Sequence, residues 1–196
     1  ISARRTVQFA ARLAERGVAF VDAPVTGGDV GARNGTLTIM VGGSTEAFAR
    51  AAQVFEHVGK AWHHLGPVGA GQKAKMVNQV AVLGTLVSMA EAMNFARENG
   101  MNVEAVIPVV AGGAAGSWTL ANYAPRVLRG DYAPGFSIKL FAKDLRLVRE
   151  ALEGATADYT LLRRMDAIFQ ALAADDHTAG EGVHAVVKAL GWPVNQ

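Results

Sequence analysis

Two stretches of this chain concentrate residue types that do chemistry. Residues 22–43 read DAPVTGGDVGARNGTLTIMVGG, and residues 69–79 read GAGQKAKMVNQ. In the first, Thr26, Gly27 and Gly28 follow an apolar run, where a hydroxyl and successive backbone N–H groups can form a concavity that holds an anion. Glycine suits the role because a Cβ would block close approach of a carboxylate. In the second, Lys75 lies in the opening turn of a long helix, with Asn78 and Gln79 three and four residues on, sharing its face. An ordinary lysine is too basic to shuttle protons at neutral pH, but partial burial and the positive end of a helix both favour its neutral form. An anion-holding turn and a lysine beside amides point to a site for a small carboxylate with acid–base chemistry next to it, provided the fold brings the two together. Lys73, about 200° around the helix from Lys75, is expected to be a solvated charge.

Composition bounds what can surround such a site. With 196 residues, 51% hydrophobic and 18% charged, the chain is globular protein. Its net charge of +2 comes from acids and bases mixed throughout. No basic stripe with interleaved aromatics offers nucleic acid a partner. The absence of cysteine excludes disulfides and thiolate chemistry and permits a cytoplasmic setting. The most apolar run, residues 80–90, falls short of the roughly 20 residues a membrane span needs, so no membrane partner is expected. His63 and His64 are adjacent in a predicted strand and point to opposite faces, and His177 and His184 have no cysteine near them, so no metal site is expected. No G-x-S-x-G elbow supports a serine hydrolase.

The elements that must position these residues change character near residue 70. Residues 4–16 carry Val7, Ala10, Ala11 and Ala14 at helical spacing, with Gly17 as a stop. Residues 18–23, closed by Pro24, read as a strand, and residues 36–41 as another with Leu37, Ile39 and Val41 on one face. Gly43-Ser44 caps a helix running to about Val58, and residues 61–65 form a further short strand. Beyond residue 70 the pattern is helical throughout. Residues 72–97 predict one helix roughly 39 Å long, ended by Asn99-Gly100 and buried on nearly all sides over residues 80–90. Helices follow at about 102–112 with Asn102 as cap, 117–128, 137–153 with Ser137 as cap, 158–173 and 179–190. The fold class is therefore α/β plus all-α, with domains at 1–70 and 71–196.

Taken in order, D-A-P-V-T-G-G, G-A-R-N-G-T-L-T-I-M-V-G-G, G-A-G-Q-K-A-K-M-V-N-Q and F-S-I-K-L-F-A-K-D-L (136–145) resemble the 3-hydroxyisobutyrate dehydrogenase family. These β-hydroxyacid dehydrogenases include tartronate semialdehyde reductases. The resemblance runs over essentially the whole chain. It implies the C-terminal part of a Rossmann-type NAD(P)-binding domain followed by a helical domain built on the long central helix. The dinucleotide fingerprint is then expected upstream of Ile1, and the chain as given is expected to be incomplete and inactive alone. The implied reaction is hydride transfer between NAD or NADP and a small 3-hydroxy acid or its semialdehyde, in a homo-oligomer (dimer or tetramer).

The resemblance also implies roles. Lys75 matches the family's general acid/base, and Gln79 (the first choice) and Asn78 would orient the substrate or the lysine. Thr26, Gly27 and Gly28 would hold the substrate carboxylate, Thr26 standing where the family usually has serine. Trp118, beside Ser117, would border the substrate pocket, with a core tryptophan as the plainer reading. Lys143 matches the lysine that contacts the nicotinamide end of the cofactor, Asp144 would help fix the active-site lysine, and Phe136 and Ile138 would line the cleft. Without the resemblance, Lys139, Lys143 and Arg146 are a basic stripe on a helix. Two related branches fit less well. The 6-phosphogluconate dehydrogenases add a histidine near the lysine, where this chain has Gln72, Val77 and Asn78, and imine reductases often replace the lysine. A non-catalytic oligomerisation module is the reading from a different class.

Overall fold

A computed structural model of the protein describes residues 1–193. The chain forms two compact units, Ile1–Gln79 and a second from Val80 onward, and the division falls inside one helix. In the first unit, α1 (Ala3–Ala14) starts at Ser2, whose Oγ accepts the Arg5 N–H at 3.3 Å. There follow β1 (Val25–Thr26), α2 (Gly28–Arg33), β2 (Leu37–Val41), α3 (Thr45–Phe55) and β3 (Gly59–His64). The three strands make one sheet in the order β1-β2-β3. β1 runs antiparallel to β2, with Val25 opposite Ile39 and Thr26 opposite Thr38, and β3 runs parallel to β2, with Ile39 opposite Trp62. Of the face expected to be buried in residues 36–41, Ile39 and Val41 join Phe55 in a core flanked by Val21, Ala23, Phe48, Ala51 and Trp62, while Leu37 is only partly covered and Met40 on the other face is buried too. Ser44 caps α3 by accepting the Ala47 N–H at 3.1 Å, and the helix ends at Phe55 rather than near Val58.

One expectation fails here for an identifiable reason, and one helix is present that the sequence did not announce. Residues 18–21 are not a strand; only Asp22 pairs, as an isolated bridge with Gly42, through N–H···O bonds of 2.9 and 2.8 Å. An apolar run signals burial, whereas a strand needs a neighbour to take its hydrogen bonds. After β1, the glycines do more than turn the chain. Gly27 and Gly28 have φ of 127° and 66°, and the reversal leads directly into the short helix α2, steadied by an Arg33–Asp29 ion pair at 2.6 Å.

The second unit is helical. It contains most of α4 (Ala70–Glu98), then α5 (Val103–Ala111), α6 (Trp118–Leu128), α7 (Ile138–Ala151), α8 (Thr160–Ala174), a 3₁₀ turn (Val183–Ala185) and α9 (Val186–Ala189). Asn102, Ser117 and Ser137 each cap the helix that follows, accepting the N–H groups of Ala105, Leu120 and Leu140. The core is built from Leu83, Leu86, Met89 and Met93 of α4, Leu120 and Val127 of α6, Phe141 and Leu145 of α7, and Met165 and Phe169 of α8. Phe141 and Phe169 meet edge to face with ring centroids 4.8 Å apart.

By length and composition alone α4, with 29 residues and a mean hydropathy of 1.3 over its most apolar window, could cross a membrane; in this fold its Leu83, Leu86, Met89 and Met93 are core, while Val77 and Phe95 are exposed. It is not buried on nearly all sides over residues 80–90, because Ala81 and Ser88 are exposed and a Cβ at Gly84 would meet nothing within 4 Å. Apolar composition does not record azimuth. The helix expected at 179–190 starts only after Gly182. There the chain is held extended against the entry to α7, with Ile138 N–H on Glu181 O (2.9 Å), Gly182 N–H on Tyr132 O (2.8 Å) and Val183 N–H on Phe136 O (2.8 Å).

His184 follows that extended stretch, fully buried between the rings of Tyr123 (4.5 Å between centroids) and Tyr132 (5.8 Å), with Nε2–H donating to Asp131 O at 2.8 Å. Burial holds its pKa below the ordinary histidine value, against the pull of the Asp131 carbonyl and of the Asp131 and Glu181 charges, while Arg126 adds to the lowering. The folded state thus prefers the neutral ring. Its contribution is complete above the unfolded-state value of about 6.5 and is lost as pH falls below it toward the lower folded value. The melting temperature is expected to drop as the pH falls below about 6.5, and less steeply in His184→Gln. Replacing Gly28 with alanine should cost about 1 kcal/mol in denaturant unfolding through left-handed backbone strain, since the added methyl meets no neighbour within 4 Å.

Candidate functional site

The site in the first unit is organised by a residue that no local pattern singled out. Asp22 is only 3% exposed, and its carboxylate spans the start of α4: Oδ1 accepts the Gly69 N–H at 2.6 Å and Oδ2 accepts the Gln72 N–H at 2.8 Å. A carboxylate here answers both the orphan donors and the positive end of the helix. The approach is close enough to demand glycine. A Cβ on Gly71 would lie 2.4 Å from Met40 O and 2.9 Å from Asp22 Oδ2, and one on Gly42 would lie 2.5 Å from Asp22 Oδ1. The only trace in the sequence is the Asp-Ala-Pro triplet before the Thr-Gly-Gly turn, and the carboxylate's partners lie 47 and 50 residues away.

One turn beyond Gln72, the half-buried Lys75 reaches back to the same segment, and its Nζ donates to Val25 O at 2.8 Å. Val25 precedes Thr26 in β1, so the lysine lies against the strand that ends in Thr26, Gly27 and Gly28. Thr26 is partly buried, and Gly27 and Gly28 are exposed. The amine and the diglycine turn therefore belong to one patch. Asn78 and Gln79 are tied to each other, Asn78 Nδ2 donating to Gln79 Oε1 at 2.8 Å, and Gln79 is almost completely buried. Lys73 is exposed, as its azimuth predicts.

The remaining candidates lie in the second unit. Lys143, exposed on α7, pairs with the neighbouring Asp144 at 2.6 Å, and Asp144 is buried. Phe136 is partly buried and meets Phe141 edge to face, with centroids 5.9 Å apart. Ile138 is fully buried in the core and so faces no open cleft, because the first residue of α7 points inward. Trp118 is 58% exposed and meets Tyr123 edge to face at 5.1 Å, which excludes the core reading. In the first unit His64 is used structurally, its Nε2 bonding Gly43 O at 2.8 Å and its ring stacking on Phe48. Among the described residues no group of three or more His, Cys, Asp or Glu could hold a metal ion.

Comparison with known proteins places the chain among nicotinamide-dependent oxidoreductase relatives. Residues 69–190 match the family model described as "NAD-binding of NADP-dependent 3-hydroxyisobutyrate dehydrogenase", and residues 1–66 match "NAD binding domain of 6-phosphogluconate dehydrogenase". An uncharacterised oxidoreductase of Synechocystis is 44% identical over 183 residues, covering 93% of this chain and 62% of its own. The NAD-dependent L-serine dehydrogenase of Pseudomonas aeruginosa is 40% identical over 160 residues, covering 78% of this chain and 53% of its own. The chain thus spans between about half and two thirds of the length of these curated relatives. Among solved structures, Mycobacterium tuberculosis 3-hydroxyisobutyrate dehydrogenase with L-serine superposes with a TM-score of 0.87 at 31% identity, over 98% of this chain and 68% of that one. With its lysine-bearing helix and the helices after it matched by the family's own model, the chain belongs to the 3-hydroxyisobutyrate dehydrogenase family.

Proposed function

We propose that the complete protein is an NAD(P)-dependent oxidoreductase that moves a hydride between nicotinamide and a small 3-hydroxy acid or its semialdehyde. The observation that carries this reading is the 2.8 Å contact from Lys75 Nζ to Val25 O, which sets an amine beside the Thr26-Gly27-Gly28 turn. The hydroxyl of Thr26 and the backbone amides of the two glycines hold the substrate carboxylate. Lys75, as ammonium, gives a proton to the carbonyl oxygen during reduction; as amine, it takes the hydroxyl proton during oxidation. The carbonyl of Val25 keeps the amine aimed, and the Asn78–Gln79 amide pair orients the substrate or the lysine.

Lys143 and Phe136 would hold the nicotinamide end of NAD or NADP. The ammonium of Lys143 is exposed and braced by Asp144, and the Phe136 ring is incompletely covered, so both fit contact with a bound ring. When bound, the nicotinamide supplies or accepts the hydride. Exposed Trp118 borders the substrate. The enzyme works in the cytoplasm as a homo-oligomer, a dimer or tetramer, with no nucleic acid or membrane partner. Exposed Phe95 and Val109 are surfaces suited to subunit contact.

The test is turnover by the full-length protein with NAD⁺ or NADP⁺ and 3-hydroxyisobutyrate or L-serine, and in reverse with tartronate semialdehyde. Lys75→Ala should lower kcat by about 10²-fold or more while NAD(P)H affinity, read by fluorescence titration, stays nearly constant. Turnover within a few-fold of the unaltered enzyme would reject Lys75 as the proton-transfer group. Titrating NAD(P)H into the 196-residue chain beside the full-length protein separates an enzyme whose cofactor site needs further sequence from an oligomerisation module that binds no cofactor in either form.

A further inference from the structure

We propose that Asp22 is a positioning residue for Lys75, setting both the rotation of α4 and the charge felt by the amine; this rests on the reading of Lys75 as the proton-transfer group. Four consecutive residues grip α4 at two points. The Asp22 carboxylate takes the Gly69 and Gln72 N–H groups, and the Val25 carbonyl takes the Lys75 ammonium. One contact alone would leave the helix free to turn about it, whereas two, about one helical turn apart, define where Lys75 points. The grip is built in. Asp22 is buried, its own backbone is tied to Gly42 in both directions, and glycines at 42 and 71 leave the carboxylate room that any Cβ would fill. The same carboxylate is an anion at the positive end of the helix bearing the amine, so its charge favours the ammonium form.

The test uses Asp22→Asn, which keeps the side-chain volume and removes the charge, and Asp22→Ser, whose hydroxyl can still cap the helix. In the full-length protein, lysines are labelled by ¹³C reductive methylation and the Lys75 signal, assigned by its loss in Lys75→Arg, is followed against pH by NMR. Both variants should titrate Lys75 about half a pH unit lower than the unaltered protein. The pH at which oxidation reaches half its plateau should move down by the same amount, and kcat should fall about tenfold with KM little changed. A lower melting temperature with an unmoved Lys75 titration would mark Asp22 as a structural cap and overturn the proposal. Loss of the fold in both variants would overturn it equally. A moved titration with unchanged turnover would uphold the positioning and remove instead the proton-transfer reading on which it was built.

Discussion

A buried carboxylate laid across the first turn of a helix is the interaction on which the rest of the first unit depends. The initial N–H groups of α4 have no partners within the helix, and burying them unanswered would be costly. Asp22 answers two of them at 2.6 and 2.8 Å. Hydrogen bonds to an ionised acceptor contribute about 1.5–3 kcal/mol, more than neutral ones, and the charge also meets the positive end of the helix. The requirement propagates outward. Gly42 and Gly71 must lack side chains for the carboxylate to fit, and the segment from Asp22 to Val25 must stay extended beside β2, as the Asp22–Gly42 bridge and the Met40 N–H to Pro24 O bond of 2.9 Å ensure.

Chemistry follows from that frame. Because the extended segment and the start of α4 are held together, the side chain of Lys75 ends at Val25, next to the turn whose positive-φ glycines expose their backbone. The cation beside an amide-rich bend is the arrangement on which the proposed carboxylate-binding and proton-transfer roles rest. The second unit contributes a separate set of features: the Lys143–Asp144 pair, the Phe136 ring and an exposed Trp118. Each is explained within its own helices, by the Ser137 cap that starts α7 and the Ser117 cap that starts α6.

Much of the fold was legible residue by residue. Ser44, Asn102, Ser117 and Ser137 each mark a helix start, because a cap bonds an amide three residues ahead and the signal is local. The alternation in residues 36–41 located β2 and the burial of Ile39 and Val41, but not that of Met40 on the other face. Where reading failed, a distant partner was responsible. Residues 18–21 had the hydrophobicity of a strand without a neighbouring strand to pair with. The stretch before Val183 had helical composition but was captured by the backbone entering α7, through Tyr132 and Phe136. Ala81, Gly84 and Ser88 showed that an apolar helix can keep an open side.

The candidate site divides along the same line. Lys75, Asn78, Gln79 and the Thr26-Gly27-Gly28 turn could be picked out from residue type and spacing, since their signals span only a few positions. Asp22 could not, and neither could the meeting of Lys75 with Val25, because each joins atoms about fifty residues apart in the chain. Helix caps, turns and amphipathic stripes are settled between near neighbours, so they survive in a string of letters. Which carbonyl receives an amine, and which carboxylate closes a helix, is settled only when the folded backbone brings remote segments within 3 Å, a distance that no spacing along the chain encodes.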